Sequence, residues 1–149
     1  MSVDLTIAAD SHVGVERTEN QDAWGHDRFD ELELFIVCDG MGGHAGGSTA
    51  SKLAVETILE TFRASASEPV ESRLRHAIEA ANTAIFERAR ADRSLHGMGT
   101  TCVALAVDHE SEHATIAHVG DSRIYRLRDG GLCQLTKDHT MVQRLVDDG

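Results

Sequence analysis

Three short segments gather the groups most able to do chemistry. The first is DGMGGHAGG (39–47), with five glycines in nine residues, directly after the apolar run LELFIVC (32–38). A carboxylate at the end of a buried strand, here Asp39, is held in place, and the glycines let backbone carbonyls and amides approach an ion closely. The run suits a metal or phosphate site. It is not a Walker P-loop, since no Lys-Ser or Lys-Thr follows at the required spacing. The alternative is a tight strand-to-helix connection whose glycines serve only positive φ. The second segment is ENQDAWG (19–25), where Asp22 opens a short strand. The third is HVGDSRIY (118–125), where Asp121 and Ser122 lie in a short turn between two strands. Taken singly, Asp22 reads as a solvated loop acid and GDS as a common hairpin turn.

Together the three segments supply hard oxygen donors. Asp22, Asp39 and Asp121 with glycine carbonyls suit magnesium or manganese rather than zinc. Clustered carboxylates repel unless an ion neutralises them. Two such ions would activate a water for attack on a phosphoryl group and stabilise the charge that develops. Arg17 and Arg123 are available as phosphate clamps. Other candidates are weaker. His109 and His113 have the i, i+4 spacing of a helical zinc pair, but they bracket a predicted hairpin loop, where that spacing does not share a face. The G-x-S-x-G pattern of a serine nucleophile is absent. Taken individually, Glu16, Arg17, Glu19, Asp27, Arg28 and Asp30 read as solvated charge.

These loops need elements to position them. VDLTIAA (3–9), DAWG (22–25) and LELFIVC (32–38) read as strands, the last apolar on both faces toward its end. A helix follows on Ala50, Leu53, Ala54, Ile58 and Phe62, with Ser48 as a candidate N-cap. SASEP (65–69) breaks it, and Pro69 suits the first turn of the next helix. Val70, Leu74, Ala77, Ile78, Ala81, Ile85 and Ala89 mark that second helix. Strands return at TTCVALAV (100–107), HATIAHV (113–119), RIYRL (123–127) and LCQL (132–135). DHESE (108–112) and RDGG (128–131) are hairpin loops, so the pairing is antiparallel. Thr140 to Gly149 reads as one short helix. Grouped strands and helices imply an α+β fold with two long helices over one face of a sheet.

Composition sets the outer bounds. The chain has 149 residues and a formal net charge of -11, enough length for one domain with a substantial core. Residues 1–40 hold ten acids against two bases. This acidity disfavours nucleic acid or an anionic membrane as partner. Aromatics are 4%, so the core is aliphatic. No apolar run approaches the roughly 18–20 residues of a membrane span, and the N-terminus has no signal-peptide pattern. Cys38, Cys102 and Cys133 read as reduced core thiols of a cytosolic protein.

In order, R-T-E-N-Q-D (17–22), V-C-D-G-M-G-G-H-A-G-G (37–47), G-M-G-T-T (97–101), H-V-G-D-S-R-I-Y (118–125) and L-T-K-D-H-T (135–140) resemble the PPM family. These are the metal-dependent serine/threonine protein phosphatases of the protein phosphatase 2C type, here in a bacterial variant. The resemblance implies a four-layer α-β-β-α sandwich of two antiparallel sheets, with a binuclear manganese or magnesium centre between them. It implies that Asp39 bridges both metals, that the Gly40 carbonyl binds one, and that Asp22 supports the metal–water network. It further implies that Arg17 holds the substrate phosphate and that Asp121 serves a third, weaker metal. The implied reaction is hydrolysis of phosphoserine or phosphothreonine in phosphorylated proteins, the products of serine/threonine kinases, without a phosphoenzyme.

The departures from the family pattern are specific. Gln21 stands where many members have Glu, and Met41 where animal members have a histidine proposed as general acid. His44, nearby, is the candidate for that role. The family continues past a segment like LVDDG to an S-D-G and a later D-N motif, whose aspartates complete the metal centre. Neither occurs here. Residues 1–149 are therefore expected to form a single, incomplete PPM-type domain, its C-terminal part missing. The competing expectation is a catalytically inactive fragment or pseudophosphatase that acts as a binding or regulatory module.

Overall fold

The computed structural model describes residues 4–140 and 143, apart from the side chains of residues 44 and 45. Two strands, β1 (Asp22–Phe29) and β2 (Leu32–Met41), open the fold. They form an antiparallel hairpin whose tight turn places Asp30 at φ 54°. Two long helices follow, α1 (His44–Ala64) and α2 (Val70–Ala91). After a 3-10 turn at Arg93–Leu95 come β3 (Gly99–Thr100), β4 (Cys102–Asp108) and β5 (His113–Val119). The hairpin β6 (Tyr125–Arg128) and β7 (Gly131–Gln134) closes the described chain. The main sheet runs β1-β2-β4-β5, with β3 paired to the end of β2, and β6-β7 forms a second sheet. All described pairings are antiparallel. The fold is thus α+β with two antiparallel sheets, as the motif order implies.

Side chains on a strand alternate faces, and this places the core. Leu34, Ile36 and Cys38 of β2 and Cys102, Ala104 and Ala106 of β4 point to the helix side. They meet Ala54, Ile58 and Phe62 of α1, and Leu74, Ala77 and Ala81 of α2. Small residues let the helices sit close to the sheet, which is how a chain so poor in aromatics fills its interior. Asp39 falls on the opposite face, because it is one residue out of phase with Cys38 and Gly40.

Buried Arg73 ties the helix pair together. Its guanidinium lies 3.9 Å from the centre of the Phe62 ring and donates to the Phe62 carbonyl through Nε (3.1 Å) and Nη2 (2.6 Å). Those bonds occupy one of the carbonyls left free at the end of α1.

Four sequence expectations change. Residues 4–9 form no strand; among the described residues no neighbour offers them a ladder. Helix α1 begins at His44 with Gly43 as N-cap and no side-chain cap, so Ser48 lies buried within the helix. Gly46 N–H donates to the Gly43 carbonyl at 2.9 Å, closing the first turn ahead of Ser48. Cys133 is exposed on β7, whereas Cys38 and Cys102 are buried as expected. The GDS segment is no hairpin: β5 and β6 belong to different sheets, and Gly120–Ile124 carries the chain between them. The helix expected at 140–149 lies almost wholly outside the described residues. Among the described residues no helix is long and apolar enough to cross a membrane.

Candidate active site

The register of β1 on β2 sets Asp22 directly opposite Asp39. Directly opposed residues on one face of an antiparallel pair have Cβ atoms about 4.5–5.5 Å apart, and like charges there repel. The pairing is therefore costly unless something neutralises it. Partial burial pushes the Asp39 carboxyl above its ordinary value, and the Asp22 charge pushes it further. The Arg17 cation pulls it down, and Asp121 adds a smaller upward push. Three residues from two other motifs, Arg17, Asp22 and Asp121, thus act electrostatically at one carboxylate.

Backbone bonds fix this edge. Gly40 N–H donates to the Gln21 carbonyl at 3.0 Å, and Thr101 N–H to the Asp39 carbonyl at 2.9 Å. Asp39 N–H donates to Thr101 Oγ1 at 3.0 Å. Asp22 N–H donates to Asn20 Oδ1 at 3.0 Å, and Asn20 Nδ2 in turn to Ser11 Oγ at 2.7 Å. A Cβ on Gly40 would lie 2.0 Å from the Gly47 carbonyl oxygen and 2.7 Å from that of Gln21. Only glycine allows the end of β2 to pass so close to α1.

Thr101 was not singled out from sequence, yet it joins two of the motifs. It is buried, and its Oγ1 lies 2.6 Å from Ser122 Oγ as well as holding Asp39. Gly120, at φ 97°, packs its backbone on Thr101, with a Cβ there 2.8 Å from Thr101 Cγ2. This seats the Asp121 loop beside Asp39. A polar residue at the start of an otherwise apolar strand run was the available signal.

The other candidates fall out as follows. Arg17 donates through Nη1 to Gln21 Oε1 at 2.8 Å. His44 opens α1, but its side chain is outside the described structure. Arg123 is not an available clamp. It is held by Asp138 through Nε (2.9 Å) and Nη2 (2.7 Å), and donates to the Tyr125 hydroxyl at 3.2 Å. His109 is buried against Glu33, with Nε2 2.8 Å from Oε2, while His113 Nδ1 lies 2.8 Å from the Ser111 carbonyl at the surface. Among the described residues no three His, Cys, Asp or Glu side chains converge on one point as a metal cluster.

The donor set nevertheless fits divalent cations. Two opposed carboxylates, Asp22 raising the cost of ionising Asp39, beside a glycine backbone and with a third acid in range, are hard oxygen ligands short of a counter-charge.

A model of the family described as protein phosphatase 2C matches residues 10–142. The chain belongs to the protein phosphatase 2C family. Serine/threonine protein phosphatase PstP of Mycobacterium tuberculosis is 38% identical over 145 residues, covering 97% of this chain and 27% of that protein. Serine/threonine phosphatase stp of Listeria monocytogenes is 39% identical over 138 residues, covering 89% of this chain and 54% of that protein. The chain therefore spans about half or less of these relatives' length. Among solved structures, M. tuberculosis PstP/Ppp superposes with a TM-score of 0.83, covering 95% of this chain and 58% of that one at 38% identity. Stp1 of Staphylococcus aureus gives 0.82, covering 100% and 60% at 33% identity. The catalytic domain of PstP has been solved with two manganese ions, and superposes at 0.76.

Proposed function

We propose that this chain carries the N-terminal half of a bacterial PPM-type catalytic domain that hydrolyses phosphoserine and phosphothreonine in proteins. The observation that supports the reading best is the Asp22–Asp39 pairing, with Arg17 and Asp121 both acting at the Asp39 carboxyl. Asp39 and Asp22, with the Gly40 carbonyl, would hold two manganese or magnesium ions, and Asp121 a third. Such ions supply Lewis acidity and an activated water for attack at phosphorus. The chain's own residues do the rest. Arg17 grips the phosphate and aligns it over the carboxylate edge. Thr101 keeps Asp39 and the Asp121 loop in register. His44, at the start of α1, is proposed as proton donor to the leaving serine or threonine oxygen. Free thiols at Cys38, Cys102 and Cys133 support a reducing, cytoplasmic setting.

The test is manganese-dependent hydrolysis of a phosphothreonine peptide by the protein expressed from its complete reading frame. Activity lost on chelation and in Asp39→Asn is expected. Metal-independent turnover would overturn the mechanism. The 149-residue chain alone is expected to show little turnover, since the described residues hold no three-ligand cluster. That same observation favours a second reading, a non-catalytic binding module. Robust activity from the short chain would dismiss it.

A further inference from the structure

Arg17 sits in an irregular segment with no helix or strand to hold it. It is exposed, and an arginine on such a segment loses much side-chain entropy when it is ordered. Among the described residues its guanidinium makes one hydrogen bond, to Gln21 Oε1 at 2.8 Å. Gln21, by contrast, is fixed on several sides. Its carbonyl accepts from Gly40 N–H at 3.0 Å. Its side chain lies so close to α1 that a Cβ on Gly47 would stand 2.8 Å from Gln21 Cδ and 3.0 Å from Oε1. Gln21 therefore sits at the junction of β1, β2 and the first turns of α1, immediately before Asp22.

The residue type matters as much as the place. A glutamine oxygen accepts a hydrogen bond without carrying charge. A carboxylate at position 21 would pair with the guanidinium and add another acid beside Asp22, Asp39 and Asp121. We infer that Gln21 is the positioning residue for Arg17: its amide oxygen orients the guanidinium at the Asp22–Asp39 edge while leaving it a full cation for an incoming phosphate monoester. This rests on the proposal that Arg17 binds phosphate. It deepens that proposal by assigning the neutral residue a role in ground-state binding.

Two readouts on the purified chain test it. The first is orthophosphate affinity by calorimetry in saturating magnesium, for Gln21→Leu, Arg17→Ala and the double variant. Gln21→Leu is expected to weaken binding about two- to tenfold, the range of one hydrogen bond. It should have no further effect once Arg17 is alanine. The second is 15N relaxation of the Arg17 Nε–Hε group in the metal-free chain, where Gln21→Leu should release the side chain into fast motion. Gln21→Asn, shorter by one methylene but still polar, should behave like Gln21→Leu. Gln21→Glu should keep Arg17 ordered yet weaken phosphate binding. Unchanged Arg17 motion in Gln21→Leu and Gln21→Asn would overturn the inference. So would a Gln21→Leu loss that adds in full to that of Arg17→Ala. No change in phosphate affinity for Arg17→Ala would instead overturn the phosphate role of Arg17, and this inference with it.

Discussion

At Asp39, position and charge oppose one another. The residue is held at the end of a central strand by two hydrogen bonds between its backbone and Thr101, yet partial burial and Asp22 raise the cost of its ionisation. Its raised value means the folded chain binds its proton more tightly than the unfolded chain does. Stability is then lost as pH rises from the ordinary carboxylate value through the raised one. Asp39→Asn removes that loss. A small rise in thermal midpoint at pH 7 in chelator is expected, small because solvent screens an exposed carboxylate. Manganese is expected to raise the midpoint of the parent chain, and that rise should vanish in the variant. A scanning calorimeter reads both. On the proposed mechanism, the same substitution in the protein expressed from its complete reading frame should lower kcat/KM by on the order of 100-fold or more, the scale at which even outer-shell metal contacts are felt. Residue identity at this scale was legible where a motif marked it. Asp22, Asp39 and Asp121 stood out by sequence, but only strand register shows that the first two are opposed. Thr101 lies within the G-M-G-T-T motif, but its role was not legible there, because it consists of two bonds to groups distant in the chain.

Two features belong to the scale of elements. Gly40 lets β2 pass against the start of α1. Gly40→Ala would drive a methyl into the Gly47 carbonyl and should cost about 1–3 kcal/mol, measured by urea unfolding. At the other end of the main sheet, Glu33 bridges β1 and the turn that follows β4. Its Oε1 lies 2.6 Å from His26 Nε2 and its Oε2 2.8 Å from His109 Nε2. Burial pushes the Glu33 carboxyl up, but the two histidine bonds outweigh it and hold it below its ordinary 4.5. A depressed acid stabilises the fold above its unfolded value and loses that contribution as pH falls through the folded one. Glu33→Gln should therefore lower the midpoint at pH 7 and flatten the acid limb below about pH 4.5. An unchanged acid limb would show that the bridge contributes nothing. Helix and strand periodicity revealed these elements, and the antiparallel pairing followed from short loops. The start of α1 was less legible, because a glycine run can enter a helix without a side-chain cap. Residues 4–9 have a strand's alternation, but a strand also needs a neighbour. The Glu33 bridge was invisible in sequence: its three residues lie on β1, on β2 and in the turn after β4.

For the molecule as a whole, acidity has two origins. Residues 1–40 carry ten of the chain's 25 acids. Asp22 and Asp39 form the proposed metal edge, while Asp27 pairs with Arg63 and Glu33 with two histidines. The family was legible from five ordered motifs. The engagement of Arg123 by Asp138 was not, because the partner lies beyond the β6-β7 hairpin. On this reading, divalent ions bind at the edge built by β1, β2 and the loop of residues 120–124. Paramagnetic broadening tests it most directly. Substoichiometric manganese added to the 15N-labelled chain should broaden the amide signals of Gln21–Ala23, Asp39–Met41 and Gly120–Ser122 first, and Asp39→Asn should abolish that selectivity. Broadening that begins elsewhere, or that survives Asp39→Asn unchanged, would contradict the account.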